Sequence, residues 1–572
     1  MPKNLIEFSA LKMDLGVNLQ SSLNLGAGEL SEARSVRFER GGGVFTGPGY
    51  REVSDTGTAT SVDGMLGATI FKALWSKSGT KIYYMPDPDT GTKYDSGLTA
   101  TTATKTWFQQ QGNGDVHVFN QQDTPTRIAI ARNTVALTSA STEITVGADY
   151  IDKFAASGNV RINDDVIAYG AKNATQLTSV TGIQPAGHAV NQMVIQTTNP
   201  STWTEEKGTF SFELDSRMVI GGQINKENVL KASAPEDLNN PAFFYDFDAN
   251  GTVARVFPHS LTGGIAGLGR AFVFGERECQ QILGFDTTTG SFLTSQISNQ
   301  HGAYNPRCVV DMDGIVCFLG NKRLMPIVLK LSADASVPSL DEKFDHRLRP
   351  WLDDLDDIAD QDDAFLSYDS TNKILKVGAR RGGALEVRSI DIQLNAPCGI
   401  ESRPGWAWAM FDGKMYWGGT TGKIYRDDFG RSNGGISVYH NWKTGRMSES
   451  KGKNIQLYNL EYSGYMSSAC RHKLRVYIDG SSTAAYDVEH DDSTANLQTP
   501  VALGGRSVGI STIGGGVGAP SAFPFTNRIL LRGITGEDVQ LEWEVQKDGA
   551  YLQVDTFVLR AYPTRRSGKT FN

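Results

Sequence analysis

Short apolar runs alternate with polar positions along nearly all of this chain, and Gly, Asn, Asp and Ser break the alternation at close intervals. The pattern is densest over residues 157–194. There Val160 and Ile162, then Val166 and Ala168, sit two apart, which points each pair to one face of a pleated strand. Asp164-Asp165 and Lys172-Asn173 supply the reversals, so this stretch predicts a small β module with little room for an active site. Strand–turn–strand units recur on both sides of it, at 68–84 (with Lys77-Ser78-Gly79-Thr80 as the loop), 107–128, 212–234, 265–285, 308–328, 365–377 and 406–425. Each has one form: an apolar strand, a D/N/G-rich reversal, a second apolar strand and often a third.

Small antiparallel sheets recurring every few tens of residues predict a β-propeller, in which each sheet forms one blade around a common axis. The spacing is irregular and sets the blade count at six or so. A stack of separate sandwiches is the other arrangement these units allow. Residues 131–199 interrupt the series and read as an inserted small β domain. From about Ser432 the strands lengthen, as in NIQLYNLEYSGY from Asn454 and RILLRGITGEDVQLEWEV from Arg528, which predicts a C-terminal antiparallel β-sandwich. The expected organisation is therefore all-β: an extended N-terminal arm over 1–50, a propeller over 51–130 and 200–431, the insertion over 131–199 and the sandwich over 432–572. A Gly-rich loop is expected over 511–524, and a mobile basic tail with Arg560, Arg565, Arg566 and Lys569 at the C-terminus. The one helical pattern, at 339–358, places Leu340, Phe344, Leu348, Leu352 and Leu355 on one face. Pro350 should split it into two short helices.

A length of 572 residues exceeds what one ordinary core serves, and a propeller accommodates it by adding blades. The 62 glycines are scattered, as many tight turns require. Net charge is −8, from 55 Lys+Arg against 63 Asp+Glu, which argues against a broad basic face gripping nucleic acid. It is compatible with a channel that lets DNA slide, since phosphate contacts would hold the duplex. Cys279, Cys308, Cys317, Cys398 and Cys470 are odd in number and widely spaced, which predicts reduced, buried thiols of a cytosolically folded chain with no disulfide frame and no zinc site. No apolar run is long enough to span a membrane, and the N-terminus has no signal-type apolar core.

Candidate chemistry is thin. The acids Asp353, Asp354, Asp356, Asp357, Asp360, Asp362 and Asp363 read as a solvated helix end, and would be of interest only if they lined a channel wall. Asp246, Asp248, Asn250 and Gly251 copy the first half of a calcium loop, but Phe257 stands where a bidentate Glu is required, so a turn is expected. Gly505, Ser507 and Gly509 spell a nucleophile-elbow string that a Gly-rich loop follows in place of a helix. Gly568-Lys569-Thr570 ends like a phosphate loop with Pro563 where its first Gly belongs. Gly41-Gly42-Gly43 after Arg34, Arg37 and Arg40 lacks the following Lys and helix. Trp442, Lys443 and Arg446 could stack on nucleic acid but fit a strand end better. No sialidase-type Ser-x-Asp-x-Gly-x-x-Trp box and no paired histidine ligands occur. No catalytic, metal or cofactor residue is therefore expected, and residues lining a DNA channel are not identifiable from spacing.

The arm GVNLQSSLNLGAGELSEARSVRFERGGGVFTGPGY (16–50) resembles the opening of tail nozzle, or tail hub, proteins of short-tailed, podovirus-type bacteriophages, with Ser35 where that family's pattern has Asn. Residues 217–241 (RMVIGGQINKENVLKASAPEDLNNP) and 265–328 are similar to its blades, the 157–194 module resembles one that recurs in phage tail proteins, and the C-terminal sandwich lies in the matching place. The resemblance implies a non-enzymatic virion protein made in the host cytoplasm. It would form a hexameric ring below the portal and its adaptor, conduct and retain double-stranded DNA without sequence-specific contacts, and anchor fibres or a needle. The alternative is a propeller-fold glycosidase or depolymerase acting on surface polysaccharide. A receptor-binding fibre component, which would call for a long repetitive β shaft, is a third reading.

Overall fold

The computed structural model describes residues 5–10, 17–19, 25, 29–39, 43–101, 105–198, 206–223, 225–235, 245–248, 251–267, 270–286, 288–321, 324–330, 339–342, 345–428, 432–433, 436–449, 453–467, 470–490, 496–497, 522–546 and 550–564. Seven antiparallel four-stranded units follow one another around an axis. Blade 1 is Val62–Ala68, Ala73–Ser78, Lys81–Met85 and Tyr94–Thr99; blade 2 is Trp107–Gln110, Val116–Phe119, Thr126–Arg132 and Met193–Thr198. Blade 3 is Phe210–Leu214, Arg217–Gln223, Lys226–Ala232 and Val253–Val256; blade 4 is Leu261–Gly267, Arg270–Gly275, Cys279–Asp286 and Ser291–Ser298. Blade 5 is Val309–Met312, Ile315–Leu319, Pro326–Lys330 and Ser339–Glu342; blade 6 is Phe365–Asp369, Ile374–Arg381, Ala384–Asp391 and Ala396–Glu401. Blade 7 takes Ala407–Phe411, Lys414–Gly418 and Lys423–Arg426 from late in the chain and its outer strand, Arg51–Asp55, from the beginning.

The first strand of each blade adjoins the first strand of the next, and Ala407–Phe411 meets Val62–Ala68 to close the circle. The fold is a β-propeller. Gly67 sits at that closing seam, where a Cβ would run into the Met410 carbonyl, so the two inner strands approach as closely as they do because no side chain intervenes. Apolar side chains on both faces of each blade fill the spaces between blades. Phe272, Phe274, Phe318, Leu329 and Leu375 do so between blades 4, 5 and 6.

The insertion is shorter than the sequence pattern indicated. Thr126–Arg132 and Met193–Thr198 pair directly as the third and outer strands of blade 2, so the module lies between them. Its hairpin, Gly158–Ile162 with Asp165–Tyr169, adds to the outer edge of that blade through Arg161 and Ile162 against Ile195 and Val194. The hairpin turns at Asn163-Asp164, with Asn163 at φ 57°, one residue before the expected Asp164-Asp165. On the second strand Val166 and Ala168 do share a face, the outward one, while Ile167 and Tyr169 are buried.

The N-terminal segment is no free arm. Ile6–Ala10 pairs with Leu552–Thr564, and Val36–Phe38 with Val44–Thr46 joins the same sheet. That sheet also contains Asn454–Ser467 and Ala522–Leu530 and forms one layer of the C-terminal β-sandwich. The other layer is part of a nine-stranded sheet that begins as blade 6. Leu30–Arg34 lies parallel to Ala396–Glu401 on one side and antiparallel to His440–Thr444 on the other; Val539–Val545, His472–Ile478 and Tyr486–His490 follow. One N-terminal strand thus bridges propeller and sandwich within a single hydrogen-bonded sheet. Trp442 and Trp543 stack in the sandwich core, their ring centroids 6.2 Å apart.

Residues 339–358 also differ from expectation. Ser339–Glu342 is a blade strand, and one helix, Asp345–Asp353, contains Pro350. Burial of Leu348, Trp351 and Leu352 between blades 5 and 6 holds that helix together despite the missing N–H. Phe344 lies outside the described residues.

Candidate functional site

Two places concentrate charge: the junction of propeller and sandwich, and the mouth of the propeller axis. At the junction, Arg37 comes from an N-terminal strand, Lys376 and Glu401 from blade 6, Arg403 from the link after it, and Asp427-Asp428 from the end of the third strand of blade 7. All six are buried. Lys376 Nζ lies 2.8 Å from Glu401 Oε2 and also contacts Asp427 and, at 3.9 Å, Asp428. Arg403 Nε is 3.2 Å from Glu401 and bonds Asp427, and its Nη2 donates to the Pro48 carbonyl at 3.1 Å. Arg37 bonds Glu401 and reaches Asp428 at 3.2 Å. Three cations face three carboxylates, so the cluster is neutral with every member paired.

Burial pushes the carboxyls up, but Arg37, Arg403 and Lys376 outweigh it at Glu401, which is held well below the usual range. Asp427 is likewise lowered by Arg403 and Lys376 against burial. Asp428 goes the other way, raised to about 6 by burial and by the neighbouring Asp427 charge. The signs set a pH profile. Protonating Asp428 favours the folded chain, so its contribution grows as pH falls from about 6 towards its unfolded value near 4. The contribution of Glu401 and Asp427 is present above about 4 and is lost as pH falls through their lowered folded values. Urea midpoints across pH 3 to 8 are expected to peak in mild acid and fall steeply below about pH 4. Asp428→Asn is expected to abolish the rise between pH 7 and 5.

A second buried set pins the insertion. Lys153 reaches from the module to Asp115 Oδ1 at 2.9 Å and to the carbonyls of Asn113 and Ile130, while Arg127 Nε donates to Asp115 Oδ2 at 2.8 Å. Burial lowers the adjacent His117 to about 3, so its ring is neutral. This is a structural clamp, with no open pocket at the histidine.

The acid run is not a helix end. Only Asp353 belongs to the α-helix, Asp360 ends a 3-10 turn over Ile358–Asp360, and the rest lie in the connecting loop at the axial mouth. Asp354 meets Arg381 at 2.8 Å, Asp356 accepts from the amides of Gly382 and Gly383, and Asp363 bonds Arg380. Gln361 ties the loop to blade 6 through the Asp356 and Arg380 carbonyls. Asp357, Asp360 and Asp362 remain exposed. Asp63, which borders the same cleft, is held by Lys77 at 2.7 Å.

The other motifs bring no chemistry together. Trp442 is a core residue, Lys443 covers the Tyr477 ring at 3.9 Å, and Arg446 faces Asp538 at 3.7 Å. Asp246 accepts from the Asp248 amide in a turn, and Phe257 is buried. Gly505, Ser507, Gly509 and 568–570 lie outside the described residues, as do Arg40 and Gly41-Gly42. All five cysteines are buried thiols outside any disulfide. Among the described residues, no group of three or more His, Cys, Asp or Glu could hold a metal ion, and no helix is long and apolar enough to cross a membrane.

The junction cluster escaped sequence reasoning because its members are scattered from Arg37 to Asp428. One trace existed: Lys376 interrupts an otherwise apolar strand, ILKVGA, as Asp115 and His117 interrupt DVHVF. A charge between apolar neighbours on a short central strand must find a buried partner.

No protein-family model matches the chain, and no curated relative matches by sequence. Among solved structures, virginiamycin B lyase from Staphylococcus aureus is similar at a TM-score of 0.34 with 10% identity, over 67% of this chain and 98% of that one. A streptogramin B lyase structure is similar at 0.34 and 9% identity, over 66% of this chain and 96% of that one. YCF48 bound to D1 peptide is similar at 0.32 and 8% identity, over 66% of this chain and 94% of that one.

Proposed function

We propose that this chain is a non-enzymatic wall subunit of a phage tail: a nozzle or hub ring below the portal and adaptor that conducts and retains packaged DNA and anchors fibres or a needle. The observation that carries the reading is the unbroken nine-stranded sheet from blade 6 through the bridging N-terminal strand into the sandwich, clamped by a neutral buried charge cluster. A hydrogen-bonded sheet has no hinge, so the two bodies move as one, as a wall under load requires. The order of arm, blades, insertion and sandwich agrees with the family resemblance. The net charge of −8 suits a lumen that does not grip phosphate. A ring would use unlike faces of the subunit in head-to-tail contact.

The test is electron microscopy of the purified chain, alone and mixed with its adaptor ring. Closed rings are expected; a chain that stays monomeric in both conditions would refute the proposal. The glycosidase reading has its own observation in the carboxylates around the axial cleft. Asp63, Asp356 and Asp363 are already committed to Lys77, a backbone turn and Arg380, so the pair that reading would need is the exposed Asp360 and Asp362 on the same rim. Release of sugar from host polysaccharide by the purified chain would reinstate it.

A further inference from the structure

Three cavities meet at the axial mouth of the propeller. One of about 470 Å³ includes Lys105, Trp107, Gln122, Tyr304 and Arg307 in its wall. One of about 580 Å³ includes Lys105, Asp362, Arg380 and Trp406, and one of about 170 Å³ includes Trp107, Arg307, Phe365 and Trp406. Lys105, Arg307 and Trp406 each border two of the three and so stand at their junction.

What these three residues offer is unspent donors. Arg307 Nη2 donates to the Asp63 carbonyl, and its guanidinium lies 5.4 Å from the Trp107 ring centroid. Its Nη1 is enclosed and has no hydrogen-bond partner; the same holds for Trp406 Nε1. The two acids nearest Arg307 are taken, Asp63 by Lys77 at 2.7 Å and Asp363 by Arg380. Lys105 Nζ bonds the Asp362 carbonyl, and its nearest carboxylate oxygen, on Asp363, is 3.9 Å away. Burial lowers Arg307 to about 10, and burial followed by the Arg307 charge lowers Lys105. A largely enclosed guanidinium whose two nearby carboxylates are each held by another cation is under-compensated, and a bound anion would supply the rest of the charge.

We propose that this junction binds a small oxyanion, a carboxylate or phosphate group, through Arg307 Nη1, Trp406 Nε1 and Lys105 Nζ. The smallest cavity takes the charged group, and the Trp107–Tyr304 cleft has room for a sugar-sized body. The exposed Asp360 and Asp362 on the loop above place negative charge at the entrance. They disfavour a polyanion such as a nucleic-acid backbone and admit a single small charge.

The experiment uses the full chain in a buffer whose only anion is chloride, titrated separately with inorganic phosphate, glucuronate and neutral glucose. Melting temperature and tryptophan emission are read together. A saturable rise of several degrees and a change in emission are expected with phosphate, glucuronate or both, and neither with glucose. The stronger of the two responses identifies phosphate or sugar acid as the source. In Arg307→Met the anion response is expected to vanish while the melting temperature in chloride alone is kept or raised, because an unpaired buried charge is gone. Lys105→Met, at the cleft edge, is expected to weaken the response at least tenfold in concentration. No response of the wild-type chain to either oxyanion overturns the proposal. So does an unchanged response in Lys105→Met, or a response kept in Arg307→Met.

Discussion

Lys376→Met is expected to lower the unfolding free energy by about 3–5 kcal/mol, the cost typical of removing one partner from a buried ion pair. Lys376 has no exposure, and its ammonium is the shared counter-charge of Glu401 and Asp427. Methionine fills the space but leaves three buried carboxylates against two guanidiniums. The loss should show as a lower urea midpoint with an unchanged slope. Glu401→Gln in the Lys376→Met background should recover part of the loss, because it removes one of the stranded charges. A single-variant change under about 1 kcal/mol would show that the cluster is a solvated patch and not a buried clamp.

Deleting residues 1–46 is expected to unfold the sandwich, with a loss on the order of 10 kcal/mol in a domain whose whole stability is about 5–15 kcal/mol. Val17, Leu30, Val36, Phe38 and Val44 belong to the sandwich core and would all go, together with Arg37 of the charge cluster. The bridging strand Leu30–Arg34 would go too, leaving His440–Thr444 without its neighbour. Tryptophan emission should report it directly, since Trp442 and Trp543 lie in that core. Proteolysis should digest the C-terminal region while the propeller strands stay protected. A truncated chain with the wild-type emission and protease pattern would mean that the N-terminal strands are peripheral.

The propeller was legible because its determinants are local. Apolar strands with D/N/G reversals mark each blade, and two residues of hairpin geometry follow from the turn itself. The units read at 68–84 through 406–425 each fall in one blade, but their irregular spacing hid that they are the full set, and nothing local showed that the seventh blade is completed by Arg51–Asp55 pairing with Lys423–Arg426. The N-terminal segment misled for a related reason. Its strands are short and separated by Gly-containing links, as an arm would be, and only their pairing with Leu552–Thr564 and His440–Thr444 makes them core. In the insertion, the turn falls on Asn163-Asp164 and not on Asp164-Asp165, and the face shared by Val166 and Ala168 is the exposed one, which their apolar character alone did not show. The acid run was visible as composition, but its partners Arg380, Arg381 and the Gly382-Gly383 turn come from the following hairpin of blade 6. Arg307 and Lys105 carried no signal, since nothing around an isolated cation in sequence announces that its neighbouring carboxylates are shared with other cations.

The outer strand of blade 7 has a consequence for biosynthesis. Arg51–Asp55 leaves the ribosome early and must wait for Lys423–Arg426 before its hydrogen bonds can form. At about 5–20 residues per second that interval is roughly 20–75 s. Throughout it the nascent chain carries an open ring with two unpaired strand edges, the kind of surface on which chains aggregate or exchange segments. Chaperones that shield exposed strands should therefore associate with this polypeptide until translation has passed the last blade.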